Sequence, residues 1–553
     1  GLLAELAMVE HRIGQIPFPQ PRYSSDLLPR VPADTLLYIS IPNLGEFLTE
    51  ANQIFHDQMS QSPALQQWAN QGHNNSAELD KLVGKIHDVS QYLGDEAVVV
   101  GVHQADHPGF AVLADVEKGG LSDLLKTQAA DPEVHGELTV LDEQSLAAST
   151  TPPVNTGHAA YALVRSHEVI FSNDIALLKQ LNAQLDAGAS GFAASDFGQQ
   201  IAAAYERGAG IILAADLHTM MANASTHMRI RPTSQGALQN SGMEEVRYLI
   251  AEHRETNGMP QNHLNLQFSG TRERVASWLG APAPMGSLDF VSSNASIAVA
   301  VLSKDPKSIA DDIMAMTANS GGNPGLDEAD QKLQISVRDD LMANLGGDFS
   351  LALDGPVLPT PSWKAVIEVN NASQLENTLE RLVQTVNSQP QGPKSHQAAI
   401  DPSDVNGQRF YAIRDVTLGT VVANYTYSSG FMIIAPTRAL LIEALQIRSS
   451  GNSLGRSASF RALLPKDENE NYSAVAYQNL SPVLNPVLSQ FSGESADAIR
   501  KLAADSRPTA ICAWGKENRI EAASDSRLFG FDFLTLGALL DSRNKLAGPL
   551  VRK

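Results

Sequence analysis

Glu168-Val169-Ile170-Phe171-Ser172-Asn173-Asp174-Ile175-Ala176-Leu177-Leu178 and Phe431-Met432-Ile433-Ile434-Ala435-Pro436-Thr437-Arg438-Ala439-Leu440-Leu441 are two versions of one pattern. Each second residue lies 263 positions after its counterpart, and the spacing holds without a gap from 170–217 onto 433–480. Gly188, Ser190, Phe197 and Leu217 fall on Gly451, Ser453, Phe460 and Leu480. In both versions a short apolar run of strand type gives way to apolar residues at helical spacing. A Gly/Ser loop, a helix carrying the phenylalanine and a closing strand follow. Self-similarity of this length decides the architecture ahead of any motif.

Working outward, each copy opens on a strand and an amphipathic helix. The first has Leu36-Leu37-Tyr38-Ile39-Ser40-Ile41 and then apolar residues at Leu44, Phe47, Leu48, Ala51, Ile54 and Phe55. The second has Ile297-Ala298-Val299-Ala300-Val301 and then Ile309, Ile313 and Met316. Tyr92-Leu93-Gly94-Asp95 and Asn344-Leu345-Gly346-Gly347 read as helix ends closed by a left-handed glycine. Two strands follow in each copy, then a helix (120–127; 373–386), and Gly/Pro turns between the strands argue for antiparallel hairpins. Phe110 and Trp363 occupy equivalent strand positions and are expected in the core. The first copy is expected to end in a helix over 243–254 and a strand over 263–270. The second is expected to end in a helix over 496–504 and strands over 509–514 and 519–524.

Helices that do not alternate strictly with hairpin-connected strands indicate an α+β fold. The expected organisation is two tandem homologous repeats, each a largely antiparallel sheet packed with helices, at 31–285 and 286–541. Residues 1–30 hold a short helix pattern and the extended stretch Ile16-Pro17-Phe18-Pro19-Gln20-Pro21, which reads as a stiff membrane-proximal stalk. Residues 531–540 read as an apolar helix, and 542–553 form a basic tail ending Val551-Arg552-Lys553.

Composition bounds the rest. The 553 residues exceed one core, and 43% apolar content excludes a disordered chain. Lys+Arg 40 against Asp+Glu 61 leaves −21, a field that repels phosphates, so nucleic-acid binding is not expected. No run of about 18 apolar residues is present to span a membrane. The single cysteine, Cys512, lies in the apolar run Thr509-Ala510-Ile511-Cys512-Ala513-Trp514 and reads as a buried strand residue.

These residues resemble one class of bacterial envelope proteins. The resemblance rests on Val31-Pro32-Ala33-Asp34-Thr35 before a strand, on Leu345-Gly346-Gly347-Asp348-Phe349, and on Ser457 with Phe460-Arg461. That class comprises duplicated α+β proteins classified only as a domain of unknown function. It implies an extracytoplasmic location, in periplasm or cell envelope, with a tether upstream of Gly1, and it covers about residues 31–525. It transfers no catalytic residue. The copies differ where the first has Asp95-Glu96 and Gly198 and the second has Gly347-Asp348 and Arg461.

A search for chemistry returns no catalytic, cofactor-binding or metal-ligating set. His-Glu-x-x-His and Cys-x-x-Cys are absent, and the one Gly-x-Ser-x-Gly, Gly451-Asn452-Ser453-Leu454-Gly455, follows a helix pattern where a nucleophile elbow follows a strand. His103 and His107 flank a turn, as do His253 and His263, and both pairs read as solvated. Ser190 and Ser453 sit in helix-to-helix loops, where a nucleophile elbow does not occur. Asp311-Asp312, Asp327-Glu328-Asp330 and Asp339-Asp340 read as solvated helix faces with Lys and Arg nearby. The loop Asp467-Glu468-Asn469-Glu470-Asn471 offers oxygens of the type calcium takes, without the order of an EF-hand.

The leading expectation is a non-enzymatic extracytoplasmic protein acting through protein–protein contact, with other envelope proteins or its own copies as partners. The alternative is a carrier of a lipid or other apolar ligand, held between sheet and helices or between the repeats. An enzyme of unrecognised type ranks third.

Overall fold

The computed structural model describes residues 9, 12–63, 66, 76–103, 108–130, 137–149, 159–188, 190–227, 241–256, 259–318, 325–356, 360–388, 397–465, 471–479, 481 and 507–525. The fold is α+β. Two compact units divide the chain, one containing Gly1–Met228 and Arg247–Leu266, the other Arg229–Val246 and Gln267–Phe531.

In the first unit the strands are β1 (Thr35–Pro42), β2 (Leu93–His103), β3 (Pro108–Val116), β4 (Glu137–Leu141), β5 (Ala159–Val164), β6 (Glu168–Ser172), β7 (Ile211–Asp216), β8 (Val246–Thr256) and β9 (Met259–Phe268). Their lateral order is β4-β5-β6-β3-β2-β1-β7-β8, antiparallel except for the parallel β4·β5 pair. The sheet is therefore mixed. The helices that cover it include α1 (Gly45–Gln61), α2 (Ser76–Ser90), α3 (Leu121–Ala129), α4 (Ile175–Ala187) and α5 (Asp196–Glu206).

Alternation along the strands gives the sheet two apolar faces. Tyr38, Val98, Val100, Leu113 and Ile170 point to one face and pack on Leu177, Leu178, Leu181, Phe197 and Ile201 of α4 and α5. Each of these fully buried aliphatic side chains contributes about 1.5–3 kcal/mol. Asp174 caps α4 through Ala176 N and Leu177 N, and Ser195 caps α5 through Gly198 N. Val99, Val112 and Phe171, offset by one residue from that core, face the other side.

The second unit holds β10 (Ile297–Leu302), β11 (Leu345–Leu353), β12 (Trp363–Val369), β13 (Ala398–Val405), β14 (Gln408–Asp415), β15 (Thr420–Ser428), β16 (Phe431–Ala435), β17 (Ala474–Gln478), β18 (Thr509–Gly515) and β19 (Arg519–Ser524). Their order is β13-β14-β15-β16-β12-β11-β10-β17-β18-β19, all antiparallel. Its helices include α6 (Pro306–Ala318), α7 (Ala372–Ser388), α8 (Arg438–Ser450) and the short α9 (Ala458–Arg461). Thr437 caps α8 through Leu440 N, and Ser457 caps α9 through Phe460 N. The wholly buried Lys364 pairs with Asp354 at 2.8 Å.

Several sequence expectations are corrected. Gly94 and Gly346 do not close helices: both lie in strands, and neither has a positive φ. Gly346 is glycine because a Cβ there would sit 2.3 Å from the Glu368 carboxylate. Residues 243–254 are not a helix, because Val246, Tyr248 and Ile250 are buried with the period of two that makes β8. Phe110 is exposed and Trp363 half-buried, because their neighbours Ala111 and Lys364 take the core-facing positions. The Pro-rich stretch is packed, not a free spacer. Ile16 is buried, Phe18 meets Phe47 and His253 edge-on at 5.8 and 5.4 Å, and Arg22 bridges to Ala209.

In the matched loops Gly188 and Gly451 both have positive φ, +85° and +74°. Cys512 is buried in β18. The expected helices at 496–504 and 531–540, the basic tail 542–553, His107 and most of the acidic loop 467–471 lie outside the described residues. No helix among the described residues is long and apolar enough to cross a membrane.

Candidate functional site

The second face of the first unit's sheet is not fully filled. Between it and α1, α2 and α3 lies a cavity of about 620 Å3. Its floor is the set of strand residues offset from the main core: Ile41 of β1, Ala97 and Val99 of β2, Val112 of β3 and Phe171 of β6. The helices supply the roof, and helical periodicity selects which residues do so. Leu44 and Leu48 lie four apart at the start of α1. Ile86 and Val89 lie three apart on α2, as do Leu125 and Gln128 on α3. Ile86 is exposed at its outer side, so the wall reaches solvent.

The roof helices are joined by polar contacts. Asn52 Nδ2 of α1 donates to Asp80 Oδ1 of α2 at 2.8 Å, and the His56 ring bonds the same oxygen. These partners, the Asn52 amide foremost, hold the Asp80 carboxyl below the usual carboxylate range. Thr49 Oγ1 and His87 Nδ1 lie 3.1 Å apart. In the cavity lining, Asn43 Nδ2 donates to the Ser90 and Gly94 carbonyls at 3.0 and 3.1 Å, and its Oδ1 accepts from Gly45 N at 3.2 Å. One side chain thus ties β1, the start of α1, the end of α2 and β2 together.

Five polar residues line the cavity: Asn43, Lys85, Ser90, Glu96 and Gln128. Asn43 is committed as above, and Ser90 Oγ donates to the His87 carbonyl at 2.7 Å. The Glu96 carboxylate accepts from Ser25 Oγ at 2.7 Å, from Ser40 Oγ at 2.6 Å and from Tyr205 OH, and it pairs with Arg22 at 3.1 Å. Burial, reinforced by the Glu96 charge, raises the Tyr205 hydroxyl well above the ordinary tyrosine range. Gln128 differs from the others. Its Nε2 is buried and has no hydrogen-bond partner among the described residues.

The residues singled out in sequence are mostly structural. Ser190 Oγ accepts from Phe192 N at 3.0 Å, a turn contact. His253 Nδ1 lies 2.8 Å from Asn262 Oδ1, and His263 lies 3.8 Å from Glu252, on the neighbouring strands β8 and β9. Asp311 pairs with Arg338 and Asp339 with Lys307 at 3.2 Å, while Asp312, more buried than either, pairs with Lys304 and accepts from Trp278 Nε1 at 2.9 Å. Among the described residues no three His, Cys, Asp or Glu side chains group to hold a metal ion.

Leu44 and Leu48 belonged to the apolar helix pattern read at 44–55. Gln128 and Lys85 carried no sequence signal, since a lone polar residue on a helix is ordinarily solvated. Comparison of the chain with family models, with curated proteins and with solved structures gives no match.

Proposed function

We propose that the first unit carries an apolar ligand in the cavity between its sheet and α1, α2 and α3. The carrying observation is the cavity itself. Interiors pack to crystal density and leave few voids larger than a water, which needs only ~10–15 Å3. A space of about 620 Å3 with a floor of Ile41, Val99, Val112 and Phe171 is of the size of small-molecule sites, ~300–1,000 Å3. The test uses the neutral fluorescent probe N-phenyl-1-naphthylamine and the variant Val99→Trp, which fills the floor. Saturable binding to the native chain is expected, weakened about tenfold or more in the variant, a loss of about 1.4 kcal/mol. Equal binding by a folded Val99→Trp chain would overturn the proposal.

A second reading, contact with a protein partner, draws on a different surface. The turn joining β14 to β15 presents Val416 and Leu418, and the start of β15 presents Val421 and Val422, each between 43% and 63% exposed. Clustered exposed apolar side chains mark interaction sites more often than isolated ones do.

Both readings sit on a chain that we take to be a tandem duplication. The order β6-β3-β2-β1-β7-β8 in one unit and β16-β12-β11-β10-β17-β18 in the other is one pairing scheme, which supports that reading. The cavity-floor residue Val99 then corresponds to Leu351, which is exposed in its own unit.

A further inference from the structure

We infer that Lys364 and Asp354 become joined by a side-chain amide, formed by the folded second unit itself with Glu443 as the proton-transfer group. This modification concerns a different unit from the carrier reading and does not depend on it.

Three side chains carry the inference. Asp354 follows directly on β11, and Lys364 is the second residue of β12, its antiparallel neighbour. Lys364 Nζ lies 2.8 Å from Asp354 Oδ2, and both side chains are buried. Glu443 of α8 places Oε2 3.6 Å from the same Nζ, while its own side chain is half-exposed. The setting is apolar. Ala352 stands opposite Lys364 on β11, and Val366 lies two residues further along the same face, both buried. A lysine is almost never fully buried, and an ion pair taken out of water gains little over apolar side chains of the same volume. A covalent bond between the same two groups removes both charges.

The carboxylate is held in place for attack. Ser292 N donates to Oδ2 at 2.8 Å, and Ser292 Oγ donates to Oδ1. Asp354 N donates to the Ser362 carbonyl at 2.8 Å, just before β12. Holding amine and carboxyl within one hydrogen bond makes their condensation intramolecular.

The step balances. A proton moves from Nζ to Oδ2 along the bond that joins them, leaving an amine and a carboxylic acid. Nζ attacks Cγ, and the charge that develops on Oδ1 meets the Ser292 hydroxyl. Glu443 takes a second proton from Nζ and returns it to Oδ2, which leaves as water. Nζ keeps one proton as the amide N–H, and no co-reactant is consumed. Burial then withholds the water that would reverse the step.

Mass spectrometry of the full chain, purified and denatured, tests the inference. The expected mass is that of the sequence less one water. Asp354 precedes Gly355, a pair that also loses water by closing an imide on its own backbone, so the site is mapped with trypsin. The basic residues flanking Lys364 in sequence are Arg338 and Arg381. Cross-linked Lys364 resists cleavage, so one peptide spanning 339–381 is expected, lighter by one water. An imide leaves Lys364 open and gives a dehydrated peptide 339–364, which would overturn the inference. A native chain of full mass would overturn it as well. Lys364→Arg should restore the full mass, and a variant that still yields the lighter peptide 339–381 would refute the assignment to Lys364. Since that change lies in the core, Glu443→Gln at a half-exposed position is the second variant. Timed from cell-free synthesis, it should form the bond about a hundredfold more slowly. Formation at the native rate would remove Glu443 from the step.

Discussion

Ser40 Oγ donates to the Glu96 carboxylate across the β1·β2 pair at 2.6 Å, inside the first unit's core. The same carboxylate collects Ser25, Tyr205 and Arg22, so it joins the N-terminal segment, the central strands and α5. Tyr205 passes the network on to Tyr38 at 2.8 Å. An acid with this many donors is a fastener, and its removal takes the counter-charge from the largely buried Arg22 and an acceptor from three hydroxyls.

Glu96→Ala is therefore expected to destabilise the first unit by about 3–5 kcal/mol, the range for breaking a buried charge pair from one side. Because Ser25 and Arg22 belong to the segment that leads into β1, that segment should also become the earliest site of limited proteolysis. Urea denaturation and protease mapping read the two effects. Glu96→Gln should show a smaller loss, since it keeps one acceptor. A near-native midpoint in the alanine variant would show that the network contributes little.

Gly45 begins α1 where the helix passes closest to the end of α2. A Cβ at this position would lie 1.8 Å from Ser90 Oγ and 2.4 Å from Ser90 Cβ. Gly45→Ala should cost about 1–3 kcal/mol by overpacking and should shift the roof of the cavity, lowering probe affinity. Adding Ser90→Gly removes the clashing atoms and should restore both quantities. A double variant no better than the single one would place the cause elsewhere.

Asp348 supplies a pH dependence. Burial, with a contribution from the nearby Glu368 charge, raises its carboxyl above the ordinary aspartate range, against the bonds it accepts from Ser287. A raised acid holds its proton more tightly in the folded state than in the unfolded one. The stability this lends is present below the unfolded pKa and is lost as pH rises through the folded value. The native chain should accordingly gain stability relative to Asp348→Asn between neutral pH and pH 4, measured as the difference in urea midpoints. A difference that does not change with pH would refute the assignment.

Glu96 and Asp348 also mark where reading the chain fell short. Aligning Asp95-Glu96 with Gly347-Asp348 draws attention to the unlike first members and hides that the second members are both acidic. Both are buried, and each accepts from an upstream serine, Ser25 or Ser287. Likewise Asp174 and Thr437, 263 positions apart, differ in type but do one task, each capping the helix that it precedes. Hydrogen-bonding roles pass between residue types that a letter-by-letter comparison scores as different.

The helix misread at 243–254 has another cause. Val246-Arg247-Tyr248-Leu249-Ile250 carries apolar residues at both helical and alternating positions, and only the sheet beside β7 selects the alternation. Phe110 and Trp363 failed for a related reason: a strand's inward face is set by register, and a shift of one residue reverses it.

Local interactions were enough for the sequence to determine the α+β class, most strands and helices and the buried setting of Cys512. Each of these follows from periodicity, caps or turn chemistry within a few neighbouring residues. Only the tertiary structure decided that Val99 and Val98 serve opposite layers, that the Pro-rich start packs on its unit, and that α1, α2 and α3 stand off the sheet around a cavity. Those outcomes depend on contacts between residues far apart in the chain, such as Phe18 with His253 and Asn43 with Ser90. No spacing along the sequence records the distance between a helix and the sheet it covers.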